Sequence, residues 1–582
     1  MRSRAIVVGA ICGAAVVTGG WFVQRGLVGS ENSYAGVRLF DQVRQHIVEN
    51  YVDEVSDSAL YQLAVTGLLE ELHDPNSVYL SSERLAKLNE RTAGLYVGIG
   101  VRFDARDGWL TVIAAHRGSP AERAGLTTGD RILEIDGVST QGMTPDEATR
   151  ALRGKPGTTA KLVIQRGVDG HHVKLSVARR EVHIQAVSRI AILDGDVGYV
   201  DVNVFGDSTA VELARTVDSL REKRVRGLIM DLRRNPGGLL QQGVEVADLF
   251  LDEGQRIVDV RGRDPESSAV YKDQLPQRWD GMPVVVLVDD GTASAAEIVA
   301  GALQDHDRAI IVGRTTFGKG SAQSLFPLTG GGALKLTTAR WYTPAGRAIG
   351  RPFGTQLPGE GELPLESAPP RESREQFRTD GGRILFGGGG ITPDLIVGDT
   401  LLPPAELALG RALGSAVSTF RDAITDYALE LRGSGAVRSR DFVVTPAMRD
   451  ALRERLLARG VDVPRDVYDG AAPLVDRLLA QDVVRFTFDP EASVHRSLSW
   501  DRALQTGVGL LRGINTPAEL LERASSGTAV IARARQVALE GLRLDEASAA
   551  AAASSRATVS KGGLAPITNG GHATGNAVTM PR

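Results

Sequence analysis

The 582-residue sequence predicts a multidomain α/β protein: a helical N-terminal segment, a β-rich module, an α/β core and a helical C-terminal region. A chain of this length exceeds what one hydrophobic core usually organises. Apolar residues recur at helical spacing near both ends, and they alternate as in short strands over residues 94–181. Between residues 182 and 400, strands alternate with helices, which is typical of a mostly parallel sheet covered by helices.

Composition excludes several classes of function. The chain is 42% hydrophobic and 24% charged, as in ordinary globular proteins, and its net charge of -4 gives no argument for a nucleic-acid partner. The single cysteine, Cys12, rules out an internal disulfide and a cysteine-based metal site. Nine scattered histidines include no H-E-x-x-H pattern. We therefore expect no metal and no cofactor.

Residues 1–30 read as a membrane anchor or signal segment. Arg2 and Arg4 precede an uncharged run from Ala5 to Val23, about 28 Å long as a helix and just sufficient to cross a bilayer. The basic flank places the N-terminus in the cytoplasm and exports the rest. We expect an inner-membrane anchor at residues 5–23, with the rest of the chain in the periplasm or otherwise outside the cytoplasm. The alternative is a cleaved signal peptide followed by secretion.

Residues 31–93 are predicted to be helical, and the turn His73–Ser77 interrupts them. The β-rich module over residues 94–181 carries glycine turns between short alternating runs. Its predicted strands are Tyr96–Phe103, Leu110–Ala114, Arg131–Ile135, Lys161–Arg166 and Val173–Val177, with one helix at Pro145–Leu152.

The core over residues 182–400 combines buried strands with amphipathic helices. The strands are predicted at Gly198–Val204, Gly227–Leu232 and Pro283–Asp289, and the helices at Ser208–Glu222, Leu239–Phe250 and Ala295–Gln304. A Pro/Gly/Glu-rich stretch from Arg351 to Phe386 reads as a surface loop. The region 401–545 is predicted to be helical at Pro404–Leu431, Thr445–Arg459 and Leu474–Gln481, and the Ala/Ser/Gly/Thr-rich tail 546–582 to be disordered.

A candidate peptide-binding site lies in the β-rich module. The segment Gly118–Gly137, which reads GSPAERAGLTTGDRILEIDG, resembles the core of a PDZ domain. The resemblance implies that Gly98, Ile99 and Gly100 form the loop that binds a peptide's terminal carboxylate, with helix Pro145–Leu152 as the other wall of the groove. Backbone N–H groups in such a loop can receive a carboxylate while the peptide adds to the sheet edge. Arg166, at a strand end, could sense bound peptide, but a solvated charge is the simpler interpretation.

Ser294 is a candidate nucleophile at the start of a helix. It follows the strand Pro283–Asp289, and the pattern Ser294–Glu297 is a capping box. Most such serines only cap a helix, so the motif alone is ambiguous. The same position suits a nucleophile, because the unpaired N–H groups and the dipole of the first helical turn favour an oxyanion.

Lys319 is a candidate general base. It lies between two glycines in the segment Gly313–Gln323, and Phe317 and neighbouring strands can desolvate it. A neutral lysine can replace histidine as the base for a serine nucleophile once burial lowers its pKa to roughly 7–8. Gln323 could hold the amine towards the serine without adding a charge. A phosphate loop would need Ser or Thr after the lysine, whereas Gly320 follows here.

These segments closely resemble the carboxyl-terminal processing peptidases, PDZ-containing Ser/Lys serine proteases that include the tail-specific proteases. The resemblance covers about residues 36 to 400 and implies that Ser294, Lys319 and Gln323 are catalytic. The matching segments are Tyr51–Asp53 (YVD), Tyr96–Gly100 (YVGIG), Asp231–Gly238 (DLRRNPGG), Gly291–Asp305, Gly313–Gln323, Ala339–Pro344 (ARWYTP) and Gly390–Asp394 (GITPD).

The resemblance also implies an oxyanion hole and a fold. Gly237 or Gly238 would provide one amide, and the N–H of Ala295 the other; a Gly-Gly turn by itself is only a weak signal. The module would be a PDZ domain and the α/β unit a peptidase core.

The chain departs from the family at Asp289 and Asp290, where asparagine is frequent, and the segments 351–386 and beyond 400 have no counterpart in shorter members.

The sequence therefore predicts an exported serine endopeptidase that recognises protein C-termini through its PDZ domain. Expected partners are unfolded or C-terminally tagged substrates, an adaptor or lipoprotein activator, and a second copy of the chain. One rival is a His/Asp/Ser protease of the heat-shock type, which would need a G-x-S-x-G motif that Ser294 lacks; His306 is expected to cap or decorate the same helix. The other rival is a non-catalytic peptide-binding scaffold.

Overall fold

A computed structural model describes residues 35–106, 108–166, 170–351, 374–398, 403–488 and 490–526. The predicted anchor at residues 5–23 and the predicted disordered tail at 546–582 lie outside these ranges. Within them, the helices are all too short or too polar to cross a membrane.

The N-terminal segment is helical and is interrupted at the predicted turn, after which a short strand follows that was not predicted. The elements are α1 (35–50), α2 (Asp57–Glu70), β1 (Val78–Leu80) and α3 (Ser82–Ala93). Side chains of Ser56 and Ser81 cap α2 and α3. The three residues of β1 pair with a strand of the core, with Val78 opposite Lys335. This tertiary pairing makes them extended, since three residues are too few for a local strand pattern. It holds the turn 73–77 against the core.

The β-rich module combines a six-stranded antiparallel sheet, a separate pair of strands and two helices. Its strands and helices are β2 (Leu95–Gly98), β3 (Val101–Arg106), β4 (Trp109–Ala115), α4 (Pro120–Arg123), β5 (Arg131–Ile135), β6 (Val138–Ser139), α5 (Pro145–Leu152), β7 (Thr159–Arg166), β8 (His171–Ala178) and β9 (Arg180–His183). The strand order is β3-β4-β5-β7-β8, with β6 on β5, and β2 pairs separately with β9. The predicted strand Tyr96–Phe103 is wrong in one respect: Gly100, at φ 79°, splits it into two.

The core contains a main sheet, a second antiparallel sheet and a small hairpin. Its strands are β10 (Val187–Leu193), β11 (Val197–Val202), β12 (Gly227–Asp231), β13 (Arg256–Gly262), β14 (Ala269–Lys272), β15 (Val284–Val288), β16 (Ile310–Gly313), β17 (Ser321–Pro327), β18 (Ala333–Tyr342), β19 (Gln376–Arg378), β20 (Ile384–Phe386) and β21 (Leu395–Ile396). Its helices are α6 (Thr209–Glu222), α7 (Leu240–Asp248) and α8 (Ala295–Asp305).

The main sheet has the order β10-β11-β12-β15-β16-β21, and every pair except β10–β11 is parallel. Strands β12 and β15 are buried along their whole length because helices cover both faces. Their carboxyl ends lead directly into the turns before Asn235 and Ser294. The predicted mostly parallel sheet is thus confirmed, and it brings these two turns side by side.

The second sheet, in the order β1-β18-β13-β14 with β17 also on β18, was not predicted. Strands β17 and β18 mix Ser, Thr, Gln and Lys with apolar residues, so their alternation is weak. The predicted loop Arg351–Phe386 is wrong at its end, where β19 and β20 pair as a hairpin; residues 352–373 lie outside the described ranges.

The C-terminal region is helical, as predicted, and joins the other units. Its helices are α9 (Pro404–Leu413), α10 (Val417–Gly433), α11 (Pro446–Ala458), α12 (Arg465–Gly470), α13 (Ala472–Thr487), α14 (Pro490–Ser497), α15 (Arg502–Leu511) and α16 (517–526). The predicted helix Pro404–Leu431 is broken at Gly414, where φ is 50°. The apolar core of α9 to α13 includes Ile113 of the β-rich module, whereas α14 and α15 cover the main sheet.

We expect Leu511→Ala to lower the free energy of unfolding by about 2–5 kcal/mol, because this buried side chain packs directly on the main sheet over Gly227. Urea denaturation of the full chain measures the change. Leu457→Ala removes the same atoms from an exposed site on α11 and should change stability by less than about 1 kcal/mol. Equal losses in the two variants would contradict the packing of α15 on the sheet.

Candidate active site

Ser294 lies where β15 turns into α8, in a strained backbone conformation. It is the N-cap residue of α8, with φ 56° and ψ −119°. A residue with a side chain seldom adopts such angles, and strain of this kind concentrates at functional positions. The preceding turn is fixed by Thr292, whose hydroxyl donates to the carbonyl oxygen of Leu232 at 2.8 Å. The half-buried serine is therefore held at the rim of the sheet.

The carboxylate of Glu297 binds both the serine turn and the lysine loop. It is completely buried, and Oε2 accepts from the N–H of Ser294 at 2.8 Å and from the N–H of Lys319 at 2.9 Å. Oε1 accepts from the N–H of Gly318 at 2.7 Å and from the hydroxyl of Thr316 at 2.5 Å. Because one oxygen joins the two backbone amides, Ser294 and Lys319 are anchored to the same point.

Lys319 is desolvated, and its pKa is lowered to about 8. Burial is the largest cause, and the positive charge of Lys335 on β18 acts in the same direction. The carboxylates of Glu297 and Asp74 oppose the shift. Burial also raises the pKa of Glu297, against the four donors that favour its anion.

A cavity of about 270 Å³ opens beside Lys319. Its wall combines the lysine loop, β18 and the turn that precedes β1, and Ser294 is not part of it. The lining residues are Pro75, Asn76, Phe317, Gly318, Lys319, Gly320, Ser321, Arg340, Trp341, Tyr342, Ala348, Gly350 and Arg351.

The turn 73–77 is attached to the strand that carries Lys335. The hydroxyl of Ser77 donates to Asp74 at 2.6 Å and accepts from the N–H of Thr337 at 3.1 Å. Gln323, on β17, donates from Nε2 to the hydroxyls of Ser321 at 2.9 Å and Thr337 at 3.3 Å. Within the described residues Gln323 makes no hydrogen bond to Lys319, so its role in holding the amine stays a prediction.

The glycine pair after Asn235 meets the serine turn, and the two glycines differ. A Cβ on Gly237 would lie 2.7 Å from the Cβ of Ser294 and 2.9 Å from the N of Ala295. The N–H of Gly237 already donates to Oδ1 of Asn235 at 2.8 Å, whereas that of Gly238 donates to no group among the described residues. Of the two predicted donors, Gly238 is thus the one with a free N–H, and the N–H of Ala295 likewise has no acceptor among the described residues.

The loop Gly98–Gly100 lines a separate groove in the β-rich module, about 190 Å³ in volume. Strand β3 and helix α5 form its sides, as the resemblance implied. Arg166 lies elsewhere: its guanidinium is paired with Asp130 at 2.6 Å and donates to the carbonyl of Gly125. It therefore acts within the module's own structure.

His306 is at the C-cap of α8 and contacts Asp380 at 2.7 Å, as expected for a residue that ends the helix. Next to it, Asp305 forms a buried ion pair with Arg347, which fixes the far end of α8. Neither this pair nor the effect of Lys335 and Asp74 on Lys319 was predicted from the sequence. Only tertiary pairing of distant strands brings these charges together.

Three family descriptions match successive parts of the chain, in the order N-terminal segment, β-rich module and core. Residues 24–84 match the N-terminal domain of the activating protease CtpB, residues 111–166 a PDZ domain, and residues 196–355 peptidase family S41. The carboxy-terminal processing protease CtpA of Bacillus subtilis is 34% identical over 59% of this chain and 74% of its own length. The chain belongs to the carboxy-terminal processing proteases.

Two further comparisons report similar proteins. A protease of the same description from Bartonella bacilliformis is 37% identical over 55% of this chain and 74% of its own. Among solved structures, the photosystem II D1 C-terminal processing protease is 27% identical, covering 65% of this chain and 96% of that one, with a TM-score of 0.34. The predicted family is confirmed, and the chain is a serine protease with a PDZ domain.

In this carboxy-terminal processing protease, Gly237→Ala is expected to lower kcat/KM on an unfolded protein by about 100-fold or more. The new Cβ would push against Ser294 and the N of Ala295 and so displace an oxyanion donor. Gly254→Ala is the matched control, since φ is 87° there and 90° at Gly237 but open space surrounds it.

Both variants carry the strain of a side chain at positive φ, about 1–2 kcal/mol, which thermal unfolding measures. A Gly237→Ala protein as active as Gly254→Ala would show that the glycine's closeness to Ser294 does not matter for catalysis.

Proposed function

We propose that this protease is exported and is an endopeptidase that binds the C-termini of unfolded or tagged proteins and cuts near them with Ser294 and Lys319. The observation that carries the catalytic proposal is the shared Glu297 carboxylate, which holds the backbone of the nucleophile and of the base at one point. The charge state of Lys319 adds to it: at a pKa of about 8, about one lysine in ten is neutral at pH 7. At the ordinary pKa the neutral fraction would be about one in a few thousand.

The reaction proceeds through an acyl-enzyme. Neutral Lys319 takes the proton of the Ser294 hydroxyl as its oxygen attacks the substrate carbonyl carbon. The N–H groups of Gly238 and Ala295 stabilise the oxyanion. Lys319 then gives its proton to the leaving amine, and the peptide C–N bond breaks. Water repeats the sequence against the Ser294 ester with the same lysine as base, which releases the acid product and restores the enzyme.

In this proposal the PDZ groove recognises the substrate. Its apolar wall suits a hydrophobic C-terminal residue, and strand β3 offers an edge to an extended chain. Export is supported by the basic and then apolar N-terminal run. An adaptor or lipoprotein activator and self-association are further proposals, for which the exposed apolar residues of α1 and α2 offer surface.

The test is cleavage of an unfolded protein with an apolar C-terminus by the full chain in detergent, measured with and without EDTA. We expect Ser294→Ala and Lys319→Ala to lower kcat/KM by at least about 1,000-fold, and EDTA to have no effect. Lys319→Ala retaining the full rate would exclude the lysine as base. Loss of activity in EDTA would exclude the metal-independent mechanism. Peptide binding without cleavage by the unmodified chain would favour a scaffold.

We expect kcat/KM to rise about tenfold per pH unit below pH 8 and to level off above it, because only the neutral amine of Lys319 is a base. Lys335→Met should move this rise to higher pH, since the positive charge of Lys335 lowers the pKa of Lys319. Lys335→Arg keeps the charge and should keep the profile. A rise that moves to lower pH in Lys335→Met would contradict the electrostatic account.

A further inference from the structure

The PDZ groove contains a cation that the catalytic proposal does not use. Arg153 follows the last turn of α5 and lines the groove together with Gly98 and Leu152. A Cβ on Gly98 would lie 3.7 Å from the Cγ of Arg153, so the side chain crosses the loop that the resemblance assigns to carboxylate binding. The guanidinium stacks over the ring of Tyr96, 5.0 Å from its centroid. These contacts fix it at the loop end of the groove.

The donors at this end of the groove are not all occupied. The carbonyl oxygens of Ile99 and Gly100 accept from Ala121 and His116, but their N–H groups have no backbone partner in the described ranges. Nε of Arg153 is buried and likewise donates to none of the described groups. Unpaired buried donors are unfavourable, and a carboxylate is the group that accepts from a guanidinium fork and backbone amides together.

A carboxylate of the chain itself already contacts Arg153. Glu90 on α3 forms an ion pair with Nη1 of Arg153, and the two side chains remain 35% and 33% exposed. An ion pair whose side chains are about one third exposed is weak, and another anion can reach Arg153. Glu90 thus links the N-terminal helices to the mouth of the groove.

We propose that Arg153 is the residue that binds the substrate's terminal carboxylate and that Glu90 competes with the substrate for it. This role rests on the proposed recognition of C-termini by the PDZ domain. Binding of a C-terminus replaces the Glu90 contact and releases α3 from the module. The free carboxylate is selected over an internal peptide segment because only the carboxylate carries the charge that displaces Glu90.

The experiment measures binding of a fluorescent peptide that ends in valine, either as the free acid or amidated, to the full chain with Ser294→Ala. Arg153→Met should weaken binding of the free acid by about 10- to 100-fold and hardly change binding of the amide. Arg150→Met removes an exposed arginine of the same helix that does not line the groove, and should change neither. Glu90→Gln should tighten binding of the free acid by about 3- to 10-fold, whereas Glu83→Gln on the same helix should not.

The opposite signs of the two changes separate a binding role from damage to the fold, since a misfolded Glu90→Gln protein cannot bind more tightly. Combining Glu90→Gln with Arg153→Met should abolish the gain. The proposal is overturned if Arg153→Met binds the free acid as tightly as Arg150→Met, or if Glu90→Gln weakens binding. An unmodified chain that binds acid and amide equally would overturn C-terminal recognition itself, and the role of Arg153 with it.

Discussion

The active site depends on one buried carboxylate. Glu297 receives hydrogen bonds from two segments of the chain that the sequence separates by more than a helix and a strand. Without a carboxyl group there, four donors would be buried without an acceptor, which costs far more than a surface hydrogen bond contributes. The strained turn at Ser294 persists because this network over-determines it. The positions of the proposed nucleophile and base are therefore fixed by hydrogen bonds to a buried side chain of the core.

The carboxylate of Glu297 also affects the charge state of Lys319. A negative charge near Lys319 favours the protonated amine, the wrong form for a base. Burial of the amine and the positive charge of Lys335 both lower the pKa of Lys319, and together they outweigh the effect of Glu297. Lys335 is held opposite Val78 by the pairing of β1 with β18, so the N-terminal segment contributes to the site through β1 and the turn 73–77. Catalytic electrostatics and domain arrangement are in this way coupled.

Patterns along the sequence predicted the elements whose periodicity is local and strong. Helix α5 and strand β5 have the predicted bounds, and the buried strands β12 and β15 differ by a residue or so. Ser294 and Lys319 could be singled out because their motifs are contiguous. The second sheet, the β1 strand and the roles of Lys335 and Asp74 could not be predicted, because β17 and β18 have little alternation and their partners are remote. The sequence could not show which of Gly237 and Gly238 has a free N–H for the proposed oxyanion hole. This depends on the hydrogen bond from the N–H of Gly237 to the side chain of Asn235.

The cover that α14 and α15 provide for the main sheet has a consequence for how the protein matures. Ile229, Val285 and Leu287 belong to strands made in the first half of the chain, yet the helical residues of their cluster come after residue 490. A chain emerging from a ribosome exposes this apolar surface until its last folded helices arrive. The protease core therefore cannot be completed before synthesis of the chain is nearly finished. The protease is thereby kept incomplete while it is still beside other unfolded chains.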